Sequence, residues 1–238
     1  MHRTRIKICG LTRVEDVHAA VAAGADALGF VFYARSKRHV NAAAAAALMT
    51  GLPAFVTTVG LFVNATADEV EAIVAVAPVG LLQFHGDETP EECAAAAARV
   101  NRPFLVAMRV RPETTATNLL EYARRCRAAG PLFAGLLLDA HVDGYGGGGK
   151  VFDWSVIPEE LAPRVVLSGG LHVQNATDAV VRVRPHAVDV SSGVERVIQG
   201  AGQPGIKDAT LIAAFVAAIR AGDDRLPIPI PISRRTSP

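Results

Sequence analysis

The sequence predicts a single-domain α/β protein with the fold of a (β/α)8 TIM barrel. Eight short apolar segments alternate with helix-sized segments along the 238 residues, and eight such pairs in about 220 residues are typical of this barrel. Most apolar segments are continuous runs, as in parallel strands that are covered on both faces. An open doubly wound sheet is the alternative, but it usually has fewer strands, and no GxGxxG sequence follows the first strand.

The strands are predicted from their apolar, β-branched composition. In chain order they span residues 5–9, 27–33, 57–63, 80–85, 104–110, 135–139, 164–168 and 187–191.

Helices are predicted between these strands, at residues 14–23, 67–77, 90–100, 117–129, 173–184 and 208–221. The first ends before Gly24, a common C-terminal stop. The second carries Val70, Ile73 and Val74 at helical spacing and ends before Pro78. The alanine runs at 41–48 and 93–98 indicate plain helices, because alanine is the best helix former.

Two segments depart from this alternation. The segment after the sixth strand is the least helical, with a glycine cluster followed by residues 152–161. From Asp223 onward the chain is rich in proline. We therefore expect residues 1–222 to form the barrel and residues 223–238 to form an extended or disordered tail.

Composition excludes several classes of protein. Half of the residues are hydrophobic and 20% are charged, which is enough for a sizeable core. The net charge of +1 argues against a nucleic-acid or membrane surface built on bulk basicity. The three cysteines, Cys9, Cys93 and Cys126, form neither a disulfide framework nor a CxxC metal site. With no signal peptide and no apolar run of about 18 residues, we expect a reduced, cytoplasmic, soluble protein.

Polar residues collect at the predicted C-terminal ends of strands, which meet at one mouth of a barrel. Cys9 ends the first strand, His85 the fourth and Asp139 the sixth, and Arg38 lies in the loop after the second. A thiol at this position serves as a base or a nucleophile, or it merely fills a gap. A poorly solvated carboxylate such as Asp139 suits general-acid work, or it caps or pairs with a neighbour.

The Cys9 thiol and the Asp139 carboxyl group differ in proton affinity. Together they indicate a reaction in which one group removes a proton from the substrate and the other delivers one, as in an isomerisation. Lys7 lies two residues before Cys9, so the two side chains share a face of the strand, and a cation there would favour the thiolate. His85 is either an acid, base or phosphate contact or a structural histidine at a strand end.

Glycine-rich turns predict a phosphate site at the ends of strands seven and eight. Gly169 and Gly170 follow the seventh strand, and Ser191, Ser192 and Gly193 follow the eighth. Glycine lets backbone N–H groups approach an anion closely, and a serine hydroxyl adds a donor. Tight turns without a ligand are the alternative.

A second glycine cluster at residues 145–150 includes Gly148 and Gly149. Consecutive glycines disfavour a helix, so this segment is expected to be a flexible loop or an anion nest that closes over a phosphorylated substrate. A plain linker is the alternative.

Taken in order, these motifs resemble the phosphoribosylanthranilate isomerase family. The matching stretches are Lys7-Ile8-Cys9-Gly10-Leu11-Thr12, Gly24-Ala25-Asp26-Ala27-Leu28-Gly29-Phe30-Val31-Phe32, Ser36-Lys37-Arg38, Val59-Gly60-Leu61-Phe62-Val63-Asn64, Gln83-Phe84-His85-Gly86, Leu137-Leu138-Asp139, Gly146-Gly147-Gly148-Gly149 with Phe152-Asp153-Trp154, Leu167-Ser168-Gly169-Gly170-Leu171, Val188-Asp189-Val190-Ser191-Ser192-Gly193-Val194-Glu195 and Pro204-Gly205-Ile206-Lys207-Asp208. Each motif alone is weak, whereas the ordered set is specific.

The resemblance implies an Amadori rearrangement in tryptophan biosynthesis. Asp139 would protonate the ribose ring oxygen, and Cys9 as thiolate would take the proton from sugar C2. Arg38 would hold the anthranilate carboxylate, for which a guanidinium fork is suited. The substrate is a small phosphorylated molecule, and no metal or organic cofactor is expected, because the imine intermediate itself acidifies the C2 proton.

Three positions depart from the family pattern. Gly148 stands where a hydroxyl residue is usual, Phe84 stands where leucine is usual, and the segment 196–203 is longer than usual. Replacement of leucine by Phe84 is a packing change that we expect to be tolerated.

Two other functions remain possible at this level. A dual-substrate isomerase that also serves histidine synthesis would be expected to have a carboxylate in place of Cys9. A non-catalytic barrel that binds a phosphate ligand would have no need for Cys9, Arg38 and Asp139 together. The sequence leaves open whether the protein is a monomer or a homodimer.

Overall fold

The computed structural model describes residues 3–140 and 151–226 of the chain, and it shows a closed barrel of eight parallel strands in the order β1 to β8. Strand β1 pairs with both β2 and β8, which closes the barrel. The predicted barrel is therefore confirmed. The strands are β1 (Arg5–Cys9), β2 (Ala27–Val31), β3 (Thr57–Phe62), β4 (Leu81–Phe84), β5 (Phe104–Val110), β6 (Phe133–Ala140), β7 (Val165–Leu167) and β8 (Ala187–Val190).

Seven α-helices accompany the strands in the described residues. They are α1 (Val14–Ala23), α2 (Ala42–Met49), α3 (Ala67–Val76), α4 (Pro90–Val100), α5 (Ala116–Ala129), α6 (Val173–Val183) and α7 (Ala209–Arg225). Between β6 and β7 the described residues contain only two short 3-10 turns, Trp154–Val156 and Ala162–Arg164. None of the helices described is long and apolar enough to cross a membrane.

Local signals define where several helices begin and end. Thr66, Thr89 and Thr115 each form a capping box with the residue three positions later, so α3, α4 and α5 begin immediately after them. Gly24 follows the last residue of α1 and has a left-handed backbone conformation. Its N–H donates hydrogen bonds to the carbonyl oxygens of Ala20 and Val21. These helix ends are therefore encoded in the nearby sequence.

A row of aromatic rings packs on the outward side of the sheet. Phe84 lies between Phe62 and Phe104, with ring centroids 6.1 Å and 6.0 Å away. It is fully buried. Because the row accepts an aromatic ring at this position, Phe84 fits in place of the leucine that is usual in the family.

The long segment after β8 folds into a β-hairpin. Strand β9 (Glu195–Ile198) pairs antiparallel with β10 (Ala201–Lys207). Gln199 and Gly200 connect the strands, and both have positive φ, as a tight two-residue hairpin turn requires. The extra length of residues 196–203 therefore extends a hairpin whose base lies beside the last barrel strand.

The last helix overruns the expected start of the tail. Helix α7 continues to Arg225, so residues 223–225 are helical and the placement of the tail boundary at Asp223 was wrong. Both carboxylate oxygens of Asp223 accept hydrogen bonds from Thr4, whose Oγ1 lies 2.7 Å from Oδ1 and whose N lies 3.0 Å from it. This long-range contact stabilises the final turn of the helix. Residues 227–238 lie outside the described residues.

Replacement of Asp223 by alanine is expected to lower the free energy of unfolding by about 2 kcal/mol, because it removes the charged acceptor of the buried hydrogen bonds from the Thr4 N–H and hydroxyl. Urea denaturation measures the effect. The matched control is Asp224→Ala, since Asp224 is the exposed neighbour and should change stability by less than about 0.5 kcal/mol. Equal effects of the two substitutions would contradict the assigned role of Asp223.

Candidate active site

Cys9 lies at the last position of β1 and faces the barrel axis, with only 4% of its surface exposed. Gly10 turns the chain away with a φ of +75°, and a side chain there would collide with Arg38, whose Cδ would lie 2.5 Å from the added Cβ. Across the sheet, Gly29 is paired with Cys9 and leaves room for the sulfur. Two glycines thus shape the space around the thiol.

A buried ion pair lies beside this thiol. Lys7 and Asp189 are paired residues of β1 and β8, and Lys7 Nζ is 2.8 Å from Asp189 Oδ1. Burial alone would lower the pKa of Lys7, but the negative charge of Asp189 and the interaction with Cys9 outweigh it and raise this pKa. Lys7 is therefore a permanent cation, and its charge acts on the neighbouring Cys9 side chain.

The thiol itself is not activated at rest. Burial raises the pKa of Cys9 above its usual value, and the charge of Asp189 adds to that effect. Lys7 opposes both but does not overcome them. Cys9 is therefore harder to ionise than an exposed thiol.

Asp139, near the end of β6, is joined to His85 and Gln83 in a polar chain. His85 Nε2 lies 3.0 Å from Asp139 Oδ2, and His85 Nδ1 lies 3.0 Å from Gln83 Nε2. With the Gln83 amide nitrogen donating, Nδ1 accepts and the Nε2–H group donates to Asp139. His85 thus contacts the carboxylate of Asp139 and orients it.

Arg38 points into the same region, but most of its guanidinium group is already engaged. Its Nε and Nη2 donate to the two carboxylate oxygens of Glu195, at 2.7 Å and 2.8 Å. Nη1 forms no hydrogen bond with any residue that the structure describes. A substrate carboxylate would therefore meet the outer edge of a guanidinium group that Glu195 holds in place.

The turns after β7 and β8 are adjacent, as the phosphate hypothesis requires. Gly169 and Gly170 have φ values of +83° and +65°, and they lead into the N-terminus of α6. A side chain at Gly169 would clash with Asp139 and with the backbone nitrogen of Ala140. The glycine therefore allows the two strand ends to approach each other closely.

The residues after β8 differ in what they offer a ligand. The Ser191 hydroxyl donates to the Cys9 carbonyl oxygen at 3.1 Å, so its proton is already used. Ser192 lines the cavity and is the better placed hydroxyl donor. Gly193 is not among the described residues that line it, because it packs against the Leu171 carbonyl oxygen. Gly148 and Gly149 lie outside the described residues.

One cavity collects these groups at the C-terminal mouth of the barrel. Its described lining is Cys9, Val31, Tyr33, Ser36, Arg38, Leu61, Val63, His85, Asp139, Ser168, Gly169, Gly170, Leu171, Asp189, Val190, Ser191 and Ser192.

Several site residues were not recognised as such from the sequence. Asp189 lies in β8 and Glu195 at the start of β9, and Lys207 is the last residue of the hairpin, whose pairing brings it back to the site. Gly29 could have been identified from the sequence, since a glycine inside a strand often marks the close approach of another group. The pairing of the buried charges could not be predicted from the sequence, because it joins strands that lie far apart in the chain.

The chain is similar to known proteins along nearly its whole length. The family model for N-(5'-phosphoribosyl)anthranilate (PRA) isomerase matches residues 6–218. A protein of this description from Herminiimonas arsenicoxydans is 65% identical, over 95% of this chain and 97% of its own length. One from Ralstonia nicotianae is 52% identical, over 95% of this chain and 96% of its own.

Solved structures share the fold. The crystal structure of phosphoribosyl anthranilate isomerase from Thermotoga maritima superimposes with a TM-score of 0.77 at 37% identity, covering 91% of this chain and 98% of that one. A second isomerase structure holds reduced 1-(o-carboxyphenylamino)-1-deoxyribulose 5-phosphate, with a TM-score of 0.72 at 33% identity, covering 91% of this chain and 98% of that one. The match of the family model, the relatives that align along nearly their full length and the shared barrel together show that this chain belongs to the N-(5'-phosphoribosyl)anthranilate isomerase family.

Proposed function

We propose that Cys9 is the general base and Asp139 the general acid of the reaction that this family carries out. That reaction is the isomerisation of N-(5'-phosphoribosyl)anthranilate to 1-(2-carboxyphenylamino)-1-deoxyribulose 5-phosphate in tryptophan biosynthesis, and it makes this chain an aldose–ketose isomerase. The observation that carries the assignment is that both side chains line one cavity, between the Arg38 guanidinium group and the turn at Gly169.

The acid step begins at Asp139. Oδ2 is bound to His85, so Oδ1 is the oxygen that faces a ligand. Asp139 acts in its protonated form: the proton on Oδ1 passes to the ribose ring oxygen, the bond from C1 to that oxygen breaks, and the anthranilate nitrogen forms a Schiff base with C1. The carboxylate that remains accepts the Nε2–H of His85. Gln83 adapts to either tautomer of His85, because its Oε1 has no other partner among the described residues and rotation of the amide exchanges donor for acceptor.

The base step follows at Cys9. The Schiff base acidifies the proton on sugar C2, and the Cys9 thiolate removes it to give an enolamine. Tautomerisation of the enolamine yields the ketose. Lys7, which is held as a cation by Asp189, stabilises the thiolate when it forms. No covalent bond between sulfur and substrate is required.

The two anionic ends of the substrate have separate sites in this proposal. The N–H groups of Gly169 and Gly170, the N-terminus of α6 and the Ser192 hydroxyl suit a phosphate group. The outer edge of Arg38 suits the anthranilate carboxylate. The assignment of Gly148 and Gly149 to the phosphate site stays a prediction from the sequence.

The assembly state is a separate proposal. One relative in Thermotoga maritima is described as a dimeric enzyme from which monomers were generated. By analogy with that relative, a homodimer is favoured over a monomer. Cys9, Cys93 and Cys126 are free thiols, which supports placement in the reducing cytoplasm.

Cys9→Ala and Asp139→Asn are each expected to lower kcat by at least about a thousandfold, because each removes a proton-transfer group. The fluorescence-based isomerase assay on freshly generated substrate measures the loss, and circular dichroism checks that the fold is retained. Cys93→Ala is the matched control, since Cys93 is a buried thiol on α4, outside the cavity. Turnover close to that of the unmodified chain in either site variant would remove the assigned role.

The pH profile should follow the thiol. Since burial raises the pKa of Cys9, kcat/KM is expected to rise about tenfold per pH unit from pH 6 upward, with its midpoint above about 8.5, the ordinary thiol value. The rate of alkylation by iodoacetamide should rise in parallel, with Cys9→Ala as the unreactive control. A midpoint below the ordinary value would show that Lys7 outweighs burial.

His85→Asn is expected to reduce kcat about 10- to 100-fold and to change KM by less than about threefold, because it disrupts the proton-sharing contact with Asp139 but no proposed substrate contact. The exposed His39→Asn is the control and should behave like the unmodified chain. A change confined to KM would instead indicate direct substrate binding by His85.

A further inference from the structure

A second buried lysine lies behind Arg38 and has no part in the acid–base steps. The Lys207 side chain is completely buried. Its Nζ lies 3.1 Å from Glu195 Oε1 and 2.9 Å from the Ser191 carbonyl oxygen. A fully buried lysine is uncommon, because removal of an ammonium group from water is costly unless the group is paired.

The carboxylate of Glu195 is the hub of this cluster. It accepts from Arg38 at both oxygens, from Lys207 Nζ, and from the Gly205 N–H at 2.8 Å. Burial would raise the pKa of Glu195, but the hydrogen bonds from Arg38 and the charge of Lys207 outweigh it and lower this pKa. Glu195 is therefore ionised, and it would cancel the charge of Arg38 if Lys207 were absent.

The hairpin base makes the position of Lys207 rigid. Lys207 and Glu195 are cross-strand partners of β10 and β9. The Lys207 N–H donates to Asp16 Oδ2 at 3.0 Å, and Thr12 Oγ1 donates to the Gly205 carbonyl oxygen at 2.6 Å. Both contacts tie the hairpin to the start of α1, so the charge cluster is built into the frame of the barrel mouth.

We propose that Lys207 is a positioning and charge-balancing residue that leaves Arg38 with the net positive charge needed to hold the substrate carboxylate. Burial lowers the pKa of Lys207, and the charge of Glu195 opposes that effect. With the Lys207 ammonium group donating to Glu195 and to the Ser191 carbonyl oxygen, Arg38, Glu195 and Lys207 together carry one positive charge. Arg38 is the only one of the three among the described residues that line the cavity. The inference rests on the proposed function, in which Arg38 receives the anthranilate carboxylate.

The charge argument makes a specific prediction for a double variant. Lys207→Met keeps an unbranched side chain that is shorter only by the ammonium group, and it leaves Arg38 neutralised by Glu195. Glu195→Gln combined with Lys207→Met removes one charge of each sign and restores the net charge of the unmodified cluster. A purely structural role for Lys207 predicts no recovery in the double variant, because it lacks both partners.

The experiment is calorimetric titration with two ligands, reduced 1-(o-carboxyphenylamino)-1-deoxyribulose 5-phosphate and the same molecule without the carboxylate. Lys207→Met should weaken binding of the first ligand about tenfold and that of the second less than about twofold. The double variant should bind the first ligand within about threefold of the unmodified chain. Thermal unfolding confirms that each variant is folded.

Controls separate failure of this inference from failure of the proposed function. Lys37→Met removes an exposed charge from the same loop as Arg38 and should leave both affinities within about twofold of the unmodified chain. If Arg38→Met weakens the binding of both ligands equally, Arg38 does not hold the carboxylate, and the contact assigned to it under the proposed function is wrong. If Arg38→Met discriminates between the ligands but Lys207→Met does not, or if the double variant shows no recovery, the role of Lys207 is overturned alone.

Discussion

Closure of the barrel by strands β1 and β8 is the constraint on which the rest of the structure depends. These strands are about 180 residues apart in the chain, yet Lys7 pairs with Asp189 and Ile8 with Val190 across the seam. Their register brings a cation, a carboxylate and the Cys9 thiol together at one point. Beyond the seam, the Ser191 hydroxyl bonds to the Cys9 carbonyl oxygen, so the catalytic strand is anchored to the turn proposed to bind phosphate.

Buried charge is distributed in two separate networks around this seam. Beside the thiol, Lys7 is fully balanced by Asp189, which lets a base exist in the barrel interior without a permanent net charge. Behind the substrate cavity, Glu195 is shared between Arg38 and Lys207, and one positive charge remains. The proposed chemistry requires both networks. The network beside Cys9 is neutral, so the thiol is able to lose its proton, and the network at Arg38 is cationic, so it attracts the substrate carboxylate.

The fold was predictable in detail because its signals are local. Parallel strands covered on both faces need continuous apolar runs, and all eight were placed to within two residues at each end. The one large error concerns α7, which was expected to end at residue 221 and continues to Arg225. Its last turn depends on Asp223, whose partner Thr4 lies 219 residues away, and no local pattern could have indicated that contact.

By itself the sequence determined the order of the barrel elements and the residue types at each strand end, including Cys9, Asp139 and the turn at Gly169. Only the tertiary structure decided how these groups are bound to one another: that His85 contacts Asp139, that Ser191 is occupied by the Cys9 carbonyl, and that Glu195 and Lys207 stand behind Arg38. The physical reason is the separation along the chain of the residues that interact. Strand and helix signals act over a few residues, whereas hydrogen bonds and ion pairs depend on distances that exist only after the strands have closed into a barrel.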